Sequence, residues 1–146
     1  MKVVLDTNVI ISAVTTRGLC ADVFRTVLAE HELVTCPKIL QEVRQILKSK
    51  FSVPDSLIAE YLELIQDAAI LAEAGEMPEI RIKDKDDIEI IAASLSGKAD
   101  VLVTGDREVQ DLKRIKKLRI LSPRAFWEEL TGRSGCGLRS PQANRP

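Results

Sequence analysis

Residues 2–14, KVVLDTNVIISAV, decide the fold. KVVL at 2–5 is a short, β-branched run closed by Asp6, the pattern of a strand buried on both faces. Helical spacing from Asn8 to Val14 follows at once, so strand and helix meet at an acid with almost no loop. A strand running straight into a helix opens a β-α-β unit. The same grammar returns at 101–108, VLVTGDRE, where an apolar strand over 101–104 meets Asp106 and a short charged helix.

Working outward from these two segments, a second helix spans about 21–30, and LVTC at 33–36 is the next strand. Pro37 suits a first helical turn, and Ile39, Leu40, Val43, Ile46 and Leu47 follow at helical spacing. Pro54 opens another helix with Leu57, Ile58, Tyr61, Leu62, Leu64 and Ile65 as its apolar positions. Residues 73–86, EAGEMPEIRIKDKD, are loop-like, with a short strand expected at 80–82. The helix expected over 87–96 is apolar around most of its circumference and therefore buried. LRIL at 118–121 is the last strand, and Ser122 with Pro123 caps and opens a terminal helix ending near Leu130. This alternation predicts an α/β fold of three layers, α/β/α, around a central, mostly parallel sheet.

A chain of 146 residues suits one domain, here 1–130, followed by a tail at 131–146. The tail is rich in Gly, Ser, Pro and Arg with little to bury, so it is expected to be flexible and basic. Aromatics are only 3%, too few for a base-stacking platform, and the net charge of -1 advertises no nucleic-acid or membrane binding. No apolar run reaches the roughly 20 residues of a membrane span. The opening MKVVLD lacks the apolar stretch of a secretory signal. Cys20, Cys36 and Cys136 make an odd set without metal-ligand spacing, which points to the cytoplasm. The single histidine, His31, sits where a helix gives way to a strand and is expected to be a helix-end residue. Any chemistry must therefore rest on carboxylates.

In an open parallel sheet, ligands bind beyond the carboxyl ends of the strands. Asp6 and Asp106 close two of those ends, and Asp84, Asp86 and Asp87 cluster before the buried helix. Glu42, one turn into the helix after the second strand, lies beside the Ile39–Val43–Ile46 stripe and can look along the sheet edge. Each acid has a plainer role open to it. Asp6 and Asp106 can cap helices, Asp86 with Glu89 fits a capping box, and Glu42 can pair with Lys38 or Gln45. Yet carboxylates gathered at one edge repel unless a cation sits among them, and an all-oxygen set suits Mg²⁺ or Mn²⁺. Such ions hold phosphates, so the pattern points to phosphodiester chemistry.

These blocks together resemble the PIN-domain family, and most nearly its small prokaryotic VapC-like toxins: Asp6-Thr7-Asn8 after the first strand, Glu42 in PKILQEV, DKDD before IEIIAASL, and VLVTGD. The likeness covers roughly residues 1–130. It implies a Mg²⁺- or Mn²⁺-dependent endoribonuclease that leaves 5′-phosphate and 3′-hydroxyl ends. It also implies an antitoxin protein as partner and a homodimer, for which the 54–68 helix with Tyr61 offers a surface. Asp6, Glu42, Asp87 and Asp106 match the four acidic positions that are both catalytic and metal-binding in the family. Asn8 and Thr104 match its polar, water-positioning places. The offset of the third acid falls between Asp87 and Ile88, so Asp87 is taken, with Asp86 and Asp84 as alternatives.

Two other readings stay open. The domain could be a catalytically weak PIN-like module that binds RNA or a protein partner, or a phosphoryl-transfer protein, although Asp6-Thr7-Asn8 lacks the second acid of a phosphatase DxD. Arg17, Lys38, Lys85, Lys98, Arg107 and Lys113 are candidate phosphate contacts, and LKRIKKLR at 112–119 is the densest basic run. Phe126 and Trp127 are expected in core or subunit packing.

Overall fold

The computed structural model describes residues 1–132. The tail expectation for 133–146, and Cys136 with it, lie outside the described residues. β1 (Lys2–Leu5) leads through Asp6 into α1 (Thr7–Thr15), and α2 (Leu19–Glu30) brings the chain back to β2 (Glu32–Thr35). Next come α3 (Pro37–Ser49), α4 (Asp55–Ala68) and β3 (Ala69–Leu71). α5 (Lys85–Ser96) crosses to β4 (Val101–Val103), and α6 (Arg107–Gln110), β5 (Arg114–Ile115), β6 (Leu118–Leu121) and α7 (Pro123–Gly132) complete the order.

Six strands form one sheet in the order β3-β2-β1-β4-β6-β5. Every described pairing is parallel except the β5–β6 hairpin. Val3, Val4 and Leu5 are all buried, as are Val101, Leu102 and Val103. Side chains alternate between sheet faces, so unbroken burial means that both faces are covered by helices. The three-layer α/β/α architecture with a mostly parallel sheet is thus present.

From β1 the chain winds outward one way through β2 and β3, then returns to lay β4 and β6 on the other side of β1. The neighbouring strands β1 and β4 therefore flank the topological switch point, where an open α/β sheet leaves a crevice beyond its carboxyl ends. Val3↔Val101 and Leu5↔Val103 fix their register, and the Asp6 N–H continues the ladder to the Val103 carbonyl at 2.9 Å. Two strand ends thus finish level, and the residues after each, Asp6 and Thr104 onward, begin side by side.

The structure departs from the sequence expectations in four places. β3 forms in the stretch between the expected 54–68 helix and the 73–86 loop, to which no element was assigned, because Ala69, Ile70 and Leu71 pair with Leu33, Val34 and Thr35. No strand forms at 80–82: Ile80 donates its N–H to the Pro78 carbonyl in a tight local turn, and Ile80 and Ile82 pack on the core from a loop. β5 (Arg114–Ile115) was not expected: within the basic run 112–119 it pairs antiparallel with the start of the expected 118–121 strand. α5 begins two residues before the expected start, with Asp84 as N-cap accepting the Asp86 N–H at 2.9 Å, so the Asp86–Glu89 capping box does not form. At the other end of the chain Ser122 does cap α7, accepting the Ala125 N–H at 3.0 Å, and Phe126 is fully buried.

Candidate active site

Asp6 is held from two sides. It is the N-cap of α1, with Oδ1 accepting the Thr7 N–H at 2.8 Å, and its Oδ2 accepts the Thr104 hydroxyl at 2.7 Å. Only 7% of Asp6 and none of Thr104 is exposed. The Thr104 hydroxyl in turn accepts the Asp106 N–H at 3.1 Å, so a single buried hydroxyl ties the first acid to the backbone of the last. Gln110 donates to the Thr104 carbonyl at 2.7 Å and braces the same turn. Asp106 caps α6 through the Glu108 and Val109 N–H groups at 2.8 and 3.4 Å.

Glu42 reaches this edge from α3, where it accepts the Thr7 hydroxyl at 2.6 Å. It does not pair with Lys38, which binds Asp86 at 2.9 Å instead. α5 delivers its acids from the opposite direction. The carboxylates of Asp6, Glu42, Asp84, Asp87 and Asp106 line one open cleft of about 280 Å³, together with Thr7, Asn8, Gln45 and Ile46. Asp86 is turned out of this lining toward Lys38. The capping roles of Asp6 and Asp106 are also real, and they coexist with cation binding because a carboxylate oxygen that accepts one hydrogen bond keeps a second lone pair.

Crowding shows in the protonation of these groups. Burial pushes the Asp6 carboxyl up against the opposing bonds from Thr104 and Thr7, and the negative charges of Asp106 and Asp84 add to the rise. Burial also raises Glu42, with the Thr7 bond again opposing and Asp86 and Asp6 contributing repulsion. Asp87 is affected most: burial, then the charges of Asp6, Asp84, Asp106 and Glu42, push it from 3.8 to about 7. A group of acids that resist ionising together is a place where positive charge is missing.

The donor set fits a hard divalent cation, because it is all oxygen, with no imidazole or thiolate in the lining. Among the described residues, no three such side chains stand close enough to enclose an ion unaided. Mg²⁺ does not require that: it keeps several waters and takes one or two carboxylates plus the oxygens of a phosphate. Asp6, Glu42, Asp87, Asp106 and Asp84 are the residues that would hold it.

Thr7 is the residue that sequence reasoning missed. Its signal was its place between Asp6 and Asn8, where the first helical turn aims a hydroxyl away from the capping carboxylate. Gln45 and Ile46 were also missed as cleft walls, and they are the next turn of α3 beyond Glu42. None of Arg17, Lys38, Lys85, Lys98, Arg107 and Lys113 lines the cleft. His31 is the C-cap of α2, Cys36 is buried and Cys20 half-buried, all outside the cleft lining.

An open α/β sheet with acids gathered beyond the carboxyl ends at its switch point has its candidate ligand crevice there. Residues 2–108 match the PIN domain family, and the chain belongs to that family. A chain in the crystal structure of VapBC2 from Rickettsia felis, bound to a DNA fragment from their promoter, superposes with a TM-score of 0.61 at 18% identity, covering 82% of this chain and 97% of that one. A chain of VapBC-1 from nontypeable Haemophilus influenzae gives 0.59 at 22% identity, covering 85% and 99%. At these identities the likeness is one of fold. No match stands among curated protein sequences. No helix among the described residues is long and apolar enough to cross a membrane.

Proposed function

We propose that the protein is a Mg²⁺- or Mn²⁺-dependent endoribonuclease, the toxin of a toxin–antitoxin pair, acting in the cytoplasm. The observation that carries this reading is the cleft at the β1–β4 switch point, lined by five carboxylates and no cationic side chain. The VapBC structures that share the fold are the ground for the antitoxin partner and agree with a prokaryotic toxin.

The chain's own residues have separable tasks. Asp6, Glu42, Asp87 and Asp106 would hold the cation, with Asp84 beside them in the cleft lining. Mg²⁺ or Mn²⁺ bound there supplies Lewis-acid polarisation of the phosphodiester and a water of lowered pKa. Thr104 fixes the rotamer of Asp6, and Thr7 fixes Glu42, so two ligands meet the substrate already oriented. Asn8, exposed in the cleft wall, would orient the attacking water or a phosphate oxygen. Asp87, whose carboxyl burial and its acidic neighbours push up to about 7, would be held in its ionised form by a cation in the cleft.

A second reading is a PIN module that binds RNA or a protein without cutting. One assay separates the two. Purified protein with Mg²⁺ or Mn²⁺ is expected to cut a mixed RNA substrate, and Asp6→Asn and Asp106→Asn each to abolish cutting while circular dichroism stays native. Undiminished cleavage in both variants refutes the site, and RNA binding without cleavage by the wild type establishes the binding module.

A further inference from the structure

Charge is segregated along this chain. Residues 51–80 hold seven acids, from Asp55 to Glu79, and no lysine or arginine. All seven are exposed, and among the described residues only Asp55 is in an ion pair, with Lys48 at 3.5 Å. The same stretch leaves large apolar groups in water: Leu57 is 38% exposed, Leu64 54%, Ile70 40% and Leu71 57%. Leu57, Tyr61 and Leu64 follow each other at helical spacing on α4, which passes into β3 without a loop.

β3 ends the sheet, so one of its sides has no neighbour. The Ala72 N–H bonds to the Thr35 carbonyl at 2.8 Å, and ladder alternation turns the Leu71 N–H to the open side. Ile70 and Leu71 project to opposite faces of the sheet, so the edge is apolar and uncovered above and below. Exposed edges are normally blunted by a lysine, a proline or a bulge, and Ala69-Ile70-Leu71 has none of these.

We propose that the β3 edge, with the apolar side of α4 beside it, docks an extended segment of a partner protein in which Lys or Arg alternates with aliphatic residues. Backbone pairing to β3 supplies the register, aliphatic side chains cover Ile70 and Leu71, and the cations meet Glu63, Asp67 and Glu73. Charge decides among the occupants. A second copy of this face, the homodimer surface that the family resemblance suggested for the 54–68 helix, would set acids against acids, and a nucleic acid would set phosphates against them. The surface lies two strands from β1, and its assignment does not depend on the cleavage chemistry.

The test uses the full-length protein with two fluorescent octapeptides, one alternating Lys with Val and one alternating Glu with Val. Anisotropy is expected to show binding of the basic peptide only, weakened at least about tenfold when salt screening shortens the Debye length from about 10 to 3 Å. Amide NMR shifts are expected at 69–72 and along α4. Leu71→Lys, and separately Glu63→Lys with Asp67→Lys, are expected to weaken binding about tenfold or more, with Tm kept, since these side chains are exposed. No binding of the basic peptide, equal binding by the variants, or shifts confined to the Asp6–Asp87–Asp106 cleft overturns the proposal. Self-association that Leu71→Lys abolishes also overturns it, by identifying a second copy as the occupant.

Discussion

Asp87→Asn should make the metal-free protein more stable while weakening its response to metal. The carboxyl of Asp87 is pushed from 3.8 to about 7, chiefly by burial and then by the charges of Asp6, Asp84, Asp106 and Glu42. A shift of that size corresponds to a ceiling of about 4 kcal/mol against the ionised form. The side chain is only half-buried, and solvent screening reduces this to about 1–2 kcal/mol. Losing an acid from the first turn of α5 removes about 0.3–1 kcal/mol of favourable dipole interaction, which leaves a net gain near 1 kcal/mol.

The pH dependence has a definite sign. The folded-state pKa lies above the unfolded one, so the wild type keeps this contribution below about pH 4 and loses it as pH rises through about 7. In chelator at pH 8 the variant should therefore melt about 3–5 °C higher than the wild type, and at pH 5 by about a third of that. Mg²⁺ at ten times its Kd should add about 1.4 kcal/mol to the wild type, and clearly less to the variant at the same concentration. Thermal melts at the two pH values, with and without metal, read all of this. A variant that is no more stable than wild type at pH 8 without metal refutes the crowding argument, as does a gain that is equal at both pH values.

Three further outcomes follow from the same geometry. Thr7→Val removes the 2.6 Å bond that positions Glu42, and should cost about 10–100-fold in metal affinity or cleavage, read by calorimetric titration and RNA cutting. Thr104→Val strips a donor from buried Asp6 and an acceptor from the Asp106 N–H; about 1–3 kcal/mol of stability should be lost in denaturant melts, with activity falling too. Gly97→Ala would set its Cβ 2.8 Å from the Ala72 Cβ and 3.2 Å from the Val34 Cγ1, so a loss of about 1–3 kcal/mol is expected with cleavage per folded molecule unchanged.

β1 and β4 were legible because burial on both faces forces consecutive aliphatic residues, a local signature. α3 was legible because Pro37 and a 3.6-residue apolar stripe need no distant partner to be read. β3 was not: three residues continuing directly from a helix carry no period of their own, and only pairing with β2 makes them a strand. Ile80 and Ile82 failed in the opposite sense, since β-branched residues with no strand beside them pack as loop. In DKDD any of three aspartates could cap a helix, and the extended backbone of Asp84 made the choice.

The sequence by itself determined the layer architecture and put acids at strand ends, because periodicity and helix-start chemistry act over a few residues. Only the tertiary structure decided which acids share a cleft, turning Asp86 aside to Lys38 and leaving Asp87 facing Asp6 and Asp106. It also joined Thr7 to Glu42 and Thr104 to Asp6, across 35 and 98 residues of chain. Those bonds, and the repulsion that lifts Asp87, depend on distances through space, which no spacing along the chain encodes.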